Sequence, residues 1–226
     1  MAYKILLFDA DGTLFDFQAD EQLALHHTFE KYHIELTDQI KKRYLDINAQ
    51  LWQDFEHGLI DKETLVYTRF VKLFHEFHIQ EDGVAFEDVY QLELGKGHQL
   101  LPDAFHIIQT LSQKYDLYIV TNGVAQTQHS RLKASGLDCF FKNVFISEEI
   151  GYQKPKKEFF DYCFAHINNF QKDKTLMIGD SLSSDMQGGI LAGIETCWFN
   201  PCHQINDKNF PITYEIKDLK ELYTFL

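Results

Sequence analysis

Short uninterrupted apolar runs alternate along the chain with stretches whose apolar residues recur every three or four positions. Residues 4–8 (KILLF) are apolar almost throughout, which is long enough for a buried strand and too short for a helix. The run stops at Asp9-Ala10-Asp11-Gly12-Thr13, whose Gly and Asp residues signal a turn. Runs of the same kind follow at 117–120, 143–146, 175–178 and 196–199, with a weaker one at 214–216. Between them the spacing predicts helices over 104–114, 125–134 (stopped by Gly136), 155–167 and 184–192, and a last helix after the weak strand. Pro155 suits the first position of its helix.

Residues 17–95 break this alternation. Apolar residues fall at helical spacing at Leu23 and Phe29, then at Tyr44, Ile47, Leu51, Trp52 and Phe55, and again at Leu65, Val66, Phe70, Leu73, Phe74 and Phe77. No proline interrupts the stretch. It reads as an all-helical insertion after the first strand. Strands that alternate with helices, each a continuous apolar run, call for a parallel sheet covered on both faces. The expected fold is therefore α/β, a doubly wound parallel-sheet core with an inserted all-helical domain. The core comprises 1–16 and 97–226, and the insertion 17–96. Phe15 to Phe17 and Leu94 to Gly97 are its natural hinges, with Gly95 and Gly97 able to absorb backbone change.

Composition narrows the function. A formal charge of −13 over 226 residues and no Lys/Arg stripe argue against a nucleic-acid partner. An anionic small substrate stays possible if a cation neutralises its site. The 45% hydrophobic content, with 20 Phe and 11 Tyr, is ample for a buried core. The cysteines Cys139, Cys163, Cys197 and Cys202 form no CxxC pair. Cys197 and Cys202 with His203 read as ordinary strand-end residues in a reducing cytoplasm rather than zinc ligands. No leader-like start and no apolar run near the ~18 residues of a bilayer span occur, so a cytoplasmic protein without a membrane partner is expected, as a monomer or homodimer.

In open α/β sheets, ligands bind beyond the carboxyl ends of the strands. Asp9 and Asp11 follow the first run, Thr121 and Asn122 the second, Lys154 the loop after the third, and Asp180 and Asp185 the fourth. Taken singly, Asp11-Gly12 is a turn, Asp180-Ser181 a helix cap and Lys154 a solvated charge. Together they put four carboxylates, a lysine and a hydroxyl at one sheet edge. Clustered carboxylates repel unless they protonate or bind a cation. Hard oxygen donors suit Mg²⁺ better than zinc.

Asp9-Ala10-Asp11-Gly12-Thr13, Thr121, Lys154-Pro155 and Gly179-Asp180 with Asp185 resemble, in order, the four motifs of the haloacid dehalogenase superfamily. The resemblance implies a Rossmann-like core and makes the insertion similar to that superfamily's helical cap. It also implies a Mg²⁺-dependent phosphohydrolase. Asp9 would be the nucleophile, and Asp11 the acid and base, with its backbone carbonyl on the metal. Asp9 and Asp180 would be metal ligands, and Asp185 would hold metal-bound waters or Lys154. Thr121 and the backbone N–H of Asn122 would grip the phosphate, and Lys154 would balance its charge. Asp11 should stand where charge is disfavoured relative to Asp9, so that it arrives protonated. The dehalogenases lack this second acid, whereas phosphomutases share it.

Leu51-Trp52-Gln53-Asp54-Phe55-Glu56-His57-Gly58, Arg69-Phe70, Thr121-Asn122-Gly123 and Gly151-Tyr152-Gln153-Lys154-Pro155 resemble the pyrimidine 5′-nucleotidase subgroup, which includes enzymes acting on noncanonical pyrimidine nucleotides. The substrate implied is a small phosphorylated molecule, a nucleoside monophosphate. Trp52 or Phe55 could stack on a base, but helical spacing turns both into the insertion's own core. Arg69 could reach a substrate group, but a surface charge is the expected reading. The alternatives are a sugar-phosphate or phosphoglycolate-type phosphatase, a phosphomutase and, outside enzymes, a phospho-accepting receiver domain, which has no large helical insertion after its first acidic motif.

Overall fold

The structure, a computed structural model, describes residues 3–226; the expected core segment 1–16 thus opens with two residues outside those described. Strands β1 (Ile5–Phe8), β2 (Asp116–Thr121), β3 (Asn143–Ile146), β4 (Thr175–Gly179), β5 (Glu195–Phe199) and β6 (Tyr214–Ile216) form one sheet in the order β3-β2-β1-β4-β5-β6, and every pair is parallel. The chain leaves β1 toward β3 on one side and returns to β4 on the other. The order therefore reverses between β1 and β4, where such sheets open a crevice for ligands. Phe8 pairs with both Ile119 and Ile178, so the residue that follows it stands at the middle of the sheet's carboxyl edge.

Alternate residues of each strand feed two cores, because successive side chains point to opposite faces. On one face Leu6, Phe8, Ile119 and Ile178 pack with Ile107, Ile108 and Leu111 of α5 (Ala104–Leu111) and with Leu132 of α6 (Ala125–Ser135). On the other, Ile5, Leu7, Val120 and Met177 pack with Phe159, Phe160 and Cys163 of α8 (Lys157–Ala165) and with Ala192 of α9 (Gln187–Ala192). The short α7 (Ser147–Ile150) follows β3 directly. The fold class is the expected one, a Rossmann-like parallel sheet with helices on both faces.

Several local expectations need correction. The helix after Lys154-Pro155 begins at Lys157, so Pro155 lies in the preceding turn rather than at its first position. The Asn122 side chain accounts for this delay: it donates to Lys154 O and accepts from Lys154 N–H, which fixes the backbone there in a non-helical shape. The helix expected over 184–192 starts earlier, as a π-helical turn over Leu182–Met186. The closing helix, Leu219–Thr224, is of the tighter 3₁₀ kind.

The chain divides into two compact units. One comprises the chain up to Phe17 with His98–Leu226, and the other is Gln18–Gly97. The second is all helical, built from α1 (Phe17–Lys31), α2 (Asp38–Glu56), α3 (Lys62–Phe77) and α4 (Gly83–Leu94). The side chains of Thr37, Asp61 and Asp82 accept backbone N–H groups at the starts of α2, α3 and α4, which satisfies donors that a helix start leaves unpaired. Phe29, Tyr44, Phe70, Phe74, Phe86 and Tyr90 fill its core, with Phe70 and Phe86 ring centroids 4.6 Å apart. Phe55 is buried and Trp52 half-buried, while Leu23 is exposed although its spacing is helical.

Arg69 is the larger departure. It is buried, not at the surface, because α4 brings the buried carboxylate of Glu87 against it; Nε lies 2.7 Å from Oε2 and Nη2 lies 2.5 Å from Oε1. Arg69 Nη1 also donates to Asn48, whose amide donates to Glu21, and Tyr44 O–H donates toward Glu21 and Tyr90. Each helix contributes to this network, so it ties all four together. Among the described residues no helix is long and apolar enough to cross a membrane, and all four cysteines are free thiols.

Candidate active site

The strand ends bring the charged residues together. Asp9 is the first residue past β1, and its N–H continues the ladder by donating to Ile178 O at 2.9 Å. Lys154 is 1% exposed. Its ammonium donates to Asp9 Oδ1 at 2.6 Å, Asp185 Oδ1 at 2.7 Å and Val120 O at 2.7 Å. The three donors of the ammonium thus bind strand ends β1 and β2 and the turn after β4. Asp185 is wholly buried, and its other oxygen accepts from Ser181 N–H.

Asp180 is positioned from two directions. Its carboxylate accepts from Thr13 Oγ1 at 3.2 Å, and its backbone carbonyl accepts from Trp198 Nε1 at 2.9 Å. Gly12 leaves the space that Asp180 fills: a Cβ there would stand 2.5 Å from Asp180 Oδ2, and the Gly12 φ of +80° is itself one that favours glycine. Oxygens of Asp9, Asp180 and Asp185 lie within 4.8 Å of one another.

These surroundings set the ionisation. Burial and the nearby Asp185 carboxylate raise the Asp9 pKa well above the usual range, against the pull of Lys154. Burial and Asp185 push Asp180 up to about 7, while the Thr13 hydroxyl works to lower it. For Lys154 burial opposes the charge, but Asp185 and Asp9 outweigh it and hold the ammonium pKa above its ordinary value. A three-carboxylate cluster with one internal cation retains unbalanced negative charge. Its oxygen-only donor set fits a hard divalent cation such as Mg²⁺.

Thr121 is buried at the end of β2, and its hydroxyl oxygen accepts from Gly123 N–H at 3.0 Å, which keeps the hydroxyl proton for another acceptor. Asn122 spends its side chain on the Lys154 backbone, and so couples the second and third strand ends. Asp11 stands apart from the other carboxylates. It accepts from Arg131 Nη1 and Gln128 Nε2, both on α6. Asp11 is thus paired with α6, whereas Asp9 sits beside Lys154 among carboxylates. Sequence reading passed over Gln128 and Arg131. The available signal was their i, i+3 spacing on the helix that follows Thr121-Asn122-Gly123, which puts both on one face. It also passed over Trp198, an apolar strand residue whose ring N–H is the only sign of its polar task.

Comparison with known proteins agrees with this arrangement of strands and motifs. The family model of haloacid dehalogenase-like hydrolases matches residues 3–193. The chain is 49% identical to the HAD-hydrolase YfnB of Bacillus subtilis, over 99% of this chain and 95% of that one. It is 42% identical to the pyrimidine 5′-nucleotidase PynA of Streptococcus pneumoniae, over 98% and 94%. It is 31% identical to the pyrimidine 5′-nucleotidase YjjG of Escherichia coli, over 100% and 99%. A crystal structure of YfnB bound to magnesium superposes with a TM-score of 0.94 at 48% identity, covering 99% of this chain and 98% of that one. With a matching family model over most of its length and relatives of this closeness, the chain belongs to the haloacid dehalogenase-like hydrolases.

Proposed function

We propose that this hydrolase is a Mg²⁺-dependent phosphomonoesterase that works through an aspartyl-phosphate on Asp9 and acts on pyrimidine nucleoside 5′-monophosphates, noncanonical ones included, in the cytoplasm. The observation that carries the chemistry is the buried Asp9 carboxylate, held 2.6 Å from the Lys154 ammonium beside Asp180 and Asp185 at the carboxyl edge of the sheet. The substrate class rests on the full-length likeness to PynA and YjjG, which are named pyrimidine 5′-nucleotidases.

In this reading the Thr121 hydroxyl and the Asn122 backbone N–H take phosphate oxygens, and Lys154 offsets the charge of nucleophile and phosphoryl group. The Asp9 carboxylate attacks phosphorus; the ester P–O bond breaks, and the leaving oxygen takes a proton from Asp11. Asp11 then removes a proton from water, the water oxygen attacks phosphorus, and the acyl-phosphate bond breaks to return Asp9 and release inorganic phosphate. The Asp9 and Asp180 carboxylates and the Asp11 backbone carbonyl, with Asp185 supporting, would hold Mg²⁺, which would supply positive charge to keep the clustered carboxylates ionised and to attract an anionic substrate. Residues 1–16 and 97–226 form the catalytic core, and 17–96 is the cap that selects substrate.

Phosphate release from a panel of nucleoside 5′-monophosphates and sugar phosphates, with Mg²⁺ and with chelator, tests the proposal. Metal-dependent release favouring dUMP, dTMP or modified pyrimidines is the expected result. Preference for sugar phosphates would discard the substrate class and keep the chemistry. Transfer of labelled phosphate to a second sugar hydroxyl, with none to water, would overturn the hydrolase chemistry in favour of a mutase.

A further inference from the structure

The side chain of Asp11 is bound on both oxygens, and both donors come from α6. Arg131 Nη1 donates to Oδ1 and Gln128 Nε2 to Oδ2. The donors are 0% and 1% exposed, whereas the Asp11 side chain keeps 23% of its surface. The guanidinium of Arg131 lies over the Phe15 ring at 4.5 Å and the Phe17 ring at 5.6 Å, so its plane is fixed by packing as well as by charge. Gln128 reaches Asp11 by passing over Gly123, where a Cβ would stand 2.1 Å from Nε2.

Gln128 Oε1 is buried without a hydrogen-bond partner. Leaving a buried amide oxygen unpaired is costly. Its own satisfaction therefore does not set the orientation of this amide. The Asp11 carboxylate does, since the flipped amide would turn oxygen against oxygen. Two buried donors on one helix, each bound to a different oxygen of one partly exposed carboxylate, serve that carboxylate rather than the stability of the helix.

We infer that Gln128 and Arg131 are positioning residues for the reaction: together they hold Asp11 in the one rotamer from which it exchanges a proton with the leaving-group oxygen. The inference rests on the proposed role of Asp11 as acid. Without the two donors Asp9 still attacks, but the carboxyl group that meets the departing oxygen swings among rotamers.

The test compares kcat/KM for an alkyl phosphate and for p-nitrophenyl phosphate, because kcat/KM reports events up to departure of the leaving group. p-Nitrophenolate leaves without a proton, whereas an alkoxide needs one. Gln128→Leu keeps the volume and loses only the bond to Asp11, so it avoids the risk to the fold of truncating buried Arg131; Arg131→Met and Arg131→Lys complete the set. Gln128→Leu and Arg131→Met are expected to lower the alkyl value by roughly tenfold or more relative to the aryl value, within the range of acid–base effects. Arg131→Lys should recover part of the difference. Equal losses on both substrates, or none, in variants where Asp11→Asn does discriminate would overturn the positioning role. An Asp11→Asn enzyme that treats both substrates alike would instead remove the acid role, and this inference with it.

Discussion

Lys154 Nζ and Asp9 Oδ1 stand 2.6 Å apart, with the ammonium almost fully excluded from solvent. Both partners of this contact are charged, and a third, Asp185, shares the same ammonium. Removing the cation leaves two buried carboxylates facing each other. Lys154→Met should therefore destabilise the metal-free protein by about 3–5 kcal/mol, the usual consequence of stranding a buried charge. Turnover should fall by roughly 10²-fold or more with the lost charge stabilisation. Thermal unfolding in chelator and phosphate-release assays check both; unchanged stability would mean the pair contributes nothing to the fold.

Asp9→Asn should abolish phosphoenzyme formation while leaving the fold intact, since the amide is close in size to the carboxylate. Rapid acid quench after mixing with ³²P-labelled substrate is the measurement. Label trapped on the variant would exclude Asp9 as the attacking group.

Asp11→Asn should lower turnover by about 10²–10⁴-fold, the customary contribution of a general acid–base. Near-normal steady-state hydrolysis of an alkyl phosphate would take Asp11 out of the mechanism.

Asp180 gives a pH-dependent prediction. Its folded pKa of about 7 lies above its ordinary value of 3.8. A carboxyl group shifted this way adds stability below the lower value and loses it as pH rises through the folded value. The metal-free protein should thus lose stability through Asp180 between about pH 4 and 7, and Asp180→Asn should lack that loss. Mg²⁺ should stabilise the wild type most at the alkaline end of the window. Identical pH slopes for wild type and variant in chelator would refute the assignment.

The Arg69–Glu87 pair makes a claim about the helical unit alone. Arg69→Ala leaves Glu87 buried without its guanidinium and should cost about 3–5 kcal/mol. That is a large share of the ~5–15 kcal/mol that a domain has in total. Denaturant unfolding measures it, and a change under 1 kcal/mol would mean water reaches the site.

The strands of the sheet were legible because each is a short apolar run that ends in polar residues, and a parallel sheet puts all those ends on one edge. Asp9, Lys154, Asp180 and Asp185 could be grouped on that basis alone, and the structure does bring their charged atoms together. Arg69 was not legible: one arginine on an amphipathic helix looks solvated, and only Glu87, 18 residues further on, explains its burial. Pro155 misled for a similar reason, since the Asn122 side chain that shapes its turn comes from 32 residues away in the chain. Gln128 and Arg131 carry ordinary surface-helix identities. Their burial comes from Phe15, Phe17 and Asp11, more than a hundred residues earlier. What the sequence hid is in each case a polar group satisfied at long range.

The fit of Asp180 into the space left by Gly12 bears on any attempt to rebuild this edge in another protein. The two residues lie in turns after different strands, and a Cβ at position 12 would meet the Asp180 carboxylate. A designer who grafts the turn after β4 onto a foreign sheet must bring the glycine-bearing turn after β1 with it. A donor library that varies the two turns independently will lose this fit wherever position 12 is not glycine.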